Sequence, residues 1–202
     1  MANPGVRVSS HRHIPAFILS ALNANKPGIL LLRRPEDAAI SWAIYWNSDV
    51  EPCLEYYVDF HRSLKPYASD LFVAPFERVT TVFPEIIQAF NKRYGLSYNA
   101  MVDEPAMTAS WISNVEALAR GNDGKINEAR VCRPSSYRET AKVPLREQLY
   151  QSRAVRRKLE MALELYSIFS ATAARTEPMA ELGTPLARPG AARLGRLEAG
   201  RI

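Results

Sequence analysis

The 202-residue chain has only two cysteines, Cys53 and Cys132, and three histidines. Two thiols make no disulfide framework, so the chain reads as a reduced, cytoplasmic protein. No CxxC or HExxH spacing occurs, which removes the common zinc patterns, and no metal is expected. No run reaches the roughly 18 apolar residues that a membrane-crossing helix needs, so no span is expected. Residues 14–22 imitate the apolar part of a signal peptide, following Arg7 and Arg12. Pro15 within them, two histidines directly before them and a strand-like stretch at residues 6–10 argue against export. Glycine is scarcer than proline, 9 against 14, and no internal period or heptad occurs, so repeats and coiled coils drop out. An excess of one charge is also missing: the net +5 is spread along the chain and implies tolerance of anions, not a nucleic-acid partner. Arg188, Arg193, Arg196 and Arg201 near the C-terminus lack the interleaved aromatics that single-strand binding uses.

What is present is enough apolar material, 47%, for a genuine core. The length fits one domain with a tail. Residues 1–173 read as an α/β domain. Residues 174–202, rich in Pro, Gly, Ala and Arg, read as a disordered tail. Within the domain, residues 5–10 suggest a strand and 14–25 a helix with Pro15 in its first turn. Ile29-Leu-Leu-Leu32 is an unbroken aliphatic run, the pattern of a strand buried on both faces. Helices are expected over 35–46, 51–64, 84–94 (stopping at Gly95), 105–119 and 143–170. A further buried strand is expected over 70–74. The longest helix carries an apolar stripe through Leu145, Leu149, Val155, Leu159, Ala162, Tyr166 and Phe169. Strands alternating with helices imply a parallel sheet covered on both sides.

Parallel sheets present ligands at the carboxyl ends of their strands. Arg33 falls there, directly after the aliphatic run. Its planar fork suits a phosphate, and the helix opened by Pro35 adds a positive N-terminus at the same place. Ser41 lies about two turns into that helix, and helical side chains lean back toward the N-terminus, so its hydroxyl can face the same ligand. On spacing alone, a surface ion pair for Arg33 and a packed Ser41 remain the competing reading.

The stretch Arg33-Arg-Pro-Glu-Asp-Ala-Ala-Ile-Ser41 resembles the R-N-P-x-D-x-x-x-S pattern of the PAPS-dependent sulfotransferase family. That pattern binds the 3′-phosphate of the donor, 3′-phosphoadenosine 5′-phosphosulfate. Ser10-His-Arg-His-Ile-Pro15 resembles the family's K-T-H-x-P segment, which implies His13 as catalytic base. Ala74-Pro-Phe-Glu77, with Phe83-Pro84-Glu85 after it, resembles the segment around Y-E-D-x. Pro134-Ser-Ser-Tyr-Arg138 and the long helix after it are similar to the C-terminal end of bacterial sulfotransferase-like proteins, with Arg138 as a stand-in for the family's R-K-G segment. The resemblance spans roughly residues 5–170. The family's P-loop, of the type P-K-S-G-T-T-W, is not found in these 202 residues, nor is any GxxxxGK[ST].

The resemblance therefore implies a three-layer P-loop-NTPase-like α/β fold, with a short parallel sheet flanked by helices and N-terminally incomplete. It implies sulfonate transfer from PAPS to a hydroxyl or amine of a small-molecule or glycan acceptor, with Arg33, Ser41 and Arg138 on the donor and His13 as the base. The alternative is a non-catalytic relative that keeps a nucleotide-phosphate pocket. An open, apolar strand edge makes self-association an expectation. His11 and His61 read as structural or exposed. Trp42, Trp46, Tyr56 and Tyr57 read as core or groove lining.

Overall fold

Why the chain turns where it does is visible first at Arg34-Pro35. A residue before proline is pushed to extended backbone, and Arg34 has ψ 135. Proline then opens a helix with Glu36 and Asp37 in the first turn, where the helix dipole favours carboxylates. The computed structural model that describes this covers residues 13–100, 105–131 and 133–176. The strand expected at 5–10, Cys132 and the stretch from 177 onward lie outside the described residues.

The elements run α1 (Pro15–Asn23), β1 (Ile29–Leu32), α2 (Pro35–Trp46), α3 (Val50–Leu64), β2 (Phe72–Pro75), α4 (Phe76–Thr81), α5 (Phe83–Tyr94), α6 (Pro105–Leu118), α7 (Ser136–Gln151) and α8 (Arg153–Thr176). The chain is mostly helical, with a short two-stranded parallel sheet among the described residues. β1 pairs with β2 in the register Ile29↔Phe72 through Leu32↔Pro75, so their carboxyl ends lie side by side. Asn47 closes α2 in the left-handed region at φ 51, and Gly95 closes α5 at φ 65, the stop expected there.

One core joins α2, α3, α7 and α8 through Ile40, Ile44, Leu54, Val58, Leu149 and Leu159. A second lies under one face of the sheet, where Leu30, Leu32 and Val73 meet Leu64, Leu71 and Phe169. A third lies on the opposite face, where Phe72 and Ala74 meet Ile86 and Phe90. No helix among the described residues is long and apolar enough to cross a membrane.

Three expectations need correction. The run Ile29–Leu32 is not buried on both faces: Leu30 and Leu32 are 4% and 0% exposed, but Ile29 and Leu31 are 44% and 51%. Alternation sends these pairs to opposite faces, and α5 covers the far face over β2 only. The sheet is thus covered on one side and half-covered on the other. The single helix expected over 143–170 is two helices, α7 and α8. Ser152 stands between them with extended backbone (φ −122, ψ 155), and its hydroxyl accepts from the Val155 N–H at 3.1 Å as a cap for α8. Helix α8 continues through Thr176. The second strand sits later than expected, at Phe72–Pro75 and not 70–74, and α4 follows it directly.

Candidate functional site

Arg33 leaves the carboxyl end of β1 with its backbone pinned: the Tyr57 hydroxyl, from α3, donates to its carbonyl at 2.9 Å. The register places Pro75 beside Leu32, so the next residue of the second strand's exit, Phe76, lies beside Arg33. The guanidinium carbon stands 4.5 Å from the centre of the Phe76 ring, a cation–π arrangement. Burial lowers the Arg33 pKa from its ordinary value; nearby Asp37 opposes the shift, Arg138 adds to it, and Glu77 opposes it again. A guanidinium at this depth remains charged.

Arg138 comes from the first turn of α7, a helix capped by the Ser135 hydroxyl, which accepts from the Arg138 N–H at 3.3 Å. Its side chain crosses to α2. One terminal nitrogen donates to the Ser41 hydroxyl at 2.9 Å and to the Ser41 carbonyl at 3.3 Å. The other donates to the Ala129 carbonyl at 2.6 Å. Two guanidinium groups and a hydroxyl therefore gather at the carboxyl end of the sheet. The like charges repel, and half-burial strengthens that repulsion. An anion placed between them would relieve it and accept charge-assisted hydrogen bonds from both.

Of the four residues singled out from sequence, the structure brings together Arg33, Ser41 and Arg138. His13 lies elsewhere. Its carbonyl accepts from the Tyr56 hydroxyl. Its ring is 5.5 Å from Trp42, which meets Tyr56 edge-on at 4.3 Å. Trp42 follows Ser41 on α2, and consecutive helical side chains diverge by about 100°. The histidine and the arginines thus occupy neighbouring sides of one helix.

Arg34 takes the opposite side from Arg33 and pairs with Glu36 at 3.0 Å. With Asp37, Ile40, Arg146 and Tyr150 it lines a shallow groove of about 290 Å³ where α2 begins against α7. A groove of about 300 Å³ elsewhere, between β2 and α5, contains none of the three residues that gather. The arginine site is identified by its chemistry, not by concavity.

Three residues that support the site were not placed there by the sequence, which read Tyr57 as core or groove lining and His61 as structural or exposed. Tyr57 anchors the Arg33 backbone, and burial pushes its phenol pKa up. His61, one turn along α3, stacks on Tyr57 with ring centres 3.9 Å apart. It is only 5% exposed, and burial lowers its pKa to about 4, so it is neutral. A carbonyl can only accept, so the 2.8 Å contact between Nδ1 and the Tyr57 carbonyl puts the proton on Nδ1. The Nε2 atom is left buried without a partner. Phe76 is the third. The helical spacing of Leu54, Tyr57, Val58 and His61 was the available signal for the first two. Among the described residues no group of three His, Cys, Asp or Glu side chains could hold a metal ion. Comparison with known protein families, with curated proteins and with solved structures gives no match.

Proposed function

We propose that the chain is a sulfotransferase-like protein. Arg33, Ser41 and Arg138 hold the 3′-phosphate of PAPS, and the sulfonate passes to a hydroxyl or amine of a small-molecule or glycan acceptor. The observation that carries this reading is the Arg138 guanidinium reaching the Ser41 hydroxyl, 97 positions away in sequence, beside Arg33. Two forks and a hydroxyl match the several acceptor oxygens of a phosphate monoester. The resemblance of residues 33–41 to the 3′-phosphate motif supplies the donor's identity. The layered P-loop-NTPase-like fold, a cytoplasmic setting and self-association through Ile29 and Leu31 belong to the same proposal.

PAPS supplies an activated sulfonate. The acceptor atom forms a bond to sulfur while the bond from sulfur to the bridging phosphate oxygen breaks. That electron pair leaves with adenosine 3′,5′-bisphosphate. His13 takes the acceptor's proton, a task suited to imidazole chemistry. Arg33 and Arg138 orient the donor through its ribose phosphate, and their contribution is one of position. The second reading, a phosphate-binding protein without transfer, draws on the placement of His13 beside Trp42 and not among the arginines.

Calorimetric titration with adenosine 3′,5′-bisphosphate tests the shared part. Saturable binding that disappears in Arg33→Ala supports the site; no binding, or equal binding by both proteins, removes it. A transfer assay with labelled PAPS and a panel of hydroxyl and amine acceptors then separates the two readings. Transfer by the native chain, abolished in His13→Ala, selects the enzyme.

A further inference from the structure

The inner face of α2 is aliphatic and closed, and its outer face is aromatic and open. Ala39, Ile40, Ala43 and Ile44 are buried in the core shared with α3, α7 and α8. The other side carries Trp42, Tyr45 and Trp46, at the three- and four-residue spacing that sets helical side chains next to one another. Trp46 is 61% exposed and Tyr45 39%, and Tyr56 joins from α3 at 38%. An exposed apolar cluster of this kind marks a contact site. A cation stands over it: the Arg130 guanidinium carbon is 5.7 Å from the centre of the Tyr45 ring. Arg130 makes no ion pair among the described residues.

Size, geometry and charge narrow the occupant. Aromatic side chains offer about 150–250 Å² each, so at these exposures the three rings present about 300 Å². A stable protein partner covers roughly 800 Å² on each side, which is far more. Single-stranded nucleic acid stacks successive bases on aromatic faces. Here Tyr45 and Trp46 stand at 78°, and Trp42 and Tyr56 at 89°, edge to face. These rings do not make a row of parallel platforms. A pyranose ring suits them better. Its C–H bonds meet the negative face of one indole, while its hydroxyl rim reaches the polar ends of the neighbouring rings. The uncommitted Arg130 fork favours a sugar that carries a carboxylate, which it can hold through two hydrogen bonds.

We propose that the outer face of α2 is a shelf for an acidic sugar, with Trp46 under the ring and Arg130 on its carboxylate. Ser41 lies one turn before Tyr45, about 6 Å along the axis, and His13 lies against Trp42. The shelf therefore borders both the arginine site and the histidine. As the acceptor site of sulfonate transfer it narrows the acceptor to an acidic glycan, and that role rests on the transfer reading above.

Calorimetry without donor tests the shelf by itself. The probes are a hyaluronan hexasaccharide, which alternates glucuronate with a neutral sugar, the neutral chitohexaose and a hexamer of deoxythymidylate. The hyaluronan fragment should bind saturably and more tightly than the other two. Trp46→Ala should weaken it about tenfold, with the melting temperature as the check on folding. Arg130→Gln should weaken it about tenfold and erase its advantage over chitohexaose, and Arg130→Lys should recover part of the loss. No binding of the hyaluronan fragment, equal binding of chitohexaose, tighter binding of the nucleotide, or affinity unmoved by both Trp46→Ala and Arg130→Gln overturns the proposal. Titration of adenosine 3′,5′-bisphosphate into the same protein keeps the two claims apart. Sugar binding without bisphosphate binding keeps the shelf and removes the donor site, and the reverse removes the shelf alone.

Discussion

His13 and His61 sit in two contrasting regions. His13 is exposed just before α1, with its ring against Trp42. His61 is buried in α3 between Tyr57, Phe60 and Phe169, with a nitrogen that meets no partner. A surface histidine can exchange protons with a ligand. The buried one is locked neutral and supports the tyrosine that holds the Arg33 carbonyl. His61, whose pKa is perturbed, is thus a structural residue, a reminder that perturbation marks burial as readily as chemistry.

The largest effect that would sharpen this contrast is on stability. The His61 pKa falls from 6.5 to about 4 on folding, so the unfolded chain binds more protons between those values. The stabilising contribution of the neutral ring is complete above pH 6.5 and is lost as pH falls toward 4. At about 1.36 kcal/mol per unit the loss is about 3 kcal/mol. Denaturant titrations across that range should show the slope, and His61→Phe should flatten it. An unchanged slope in the variant would assign the acid sensitivity to other groups.

Next in size is the effect at the proposed anion site. Charge-assisted hydrogen bonds are worth about 1.5–3 kcal/mol, so Arg33→Ala and Arg138→Ala should each weaken adenosine 3′,5′-bisphosphate binding about 10- to 100-fold by calorimetry. His13→Ala should leave that affinity unchanged; an equal loss there would erase the separation of the two regions. Tyr57→Phe removes one hydrogen bond to the Arg33 carbonyl and should cost about 1 kcal/mol of stability, with a smaller loss of affinity. Smallest of all, Leu31→Ser on the open face of β1 should shift the unfolding free energy by less than about 0.5 kcal/mol at a dilution where the chain is monomeric. A larger loss would mean that this face is covered in solution.

Arg33 and Ser41 were legible because their relation is local: strand, turn and helix carry both within one stretch. Arg138 was legible only as a residue type at the end of a resembling segment. Its approach to Ser41 depends on how α7 packs on α2, which no local pattern encodes. The break at Ser152 was hidden for a related reason. The apolar stripe continues from Leu149 to Val155 across the break, so periodicity could not register a change of direction. The uncovered Ile29 and Leu31 were misread because an aliphatic run reports what a strand tolerates, not which helices arrive to cover it.

By itself, then, the sequence determined the elements and the chemistry available at their ends. Proline, glycine, caps and apolar spacing act through bonds and neighbours a few residues away. The tertiary structure decided which of those groups meet. Arg138 with Ser41, Phe76 under Arg33, and His61 against Phe169 all arise from the packing of helices and strands distant in sequence. Such meetings are set by burial of apolar faces across the whole chain, a sum over distant residues that no single stretch contains.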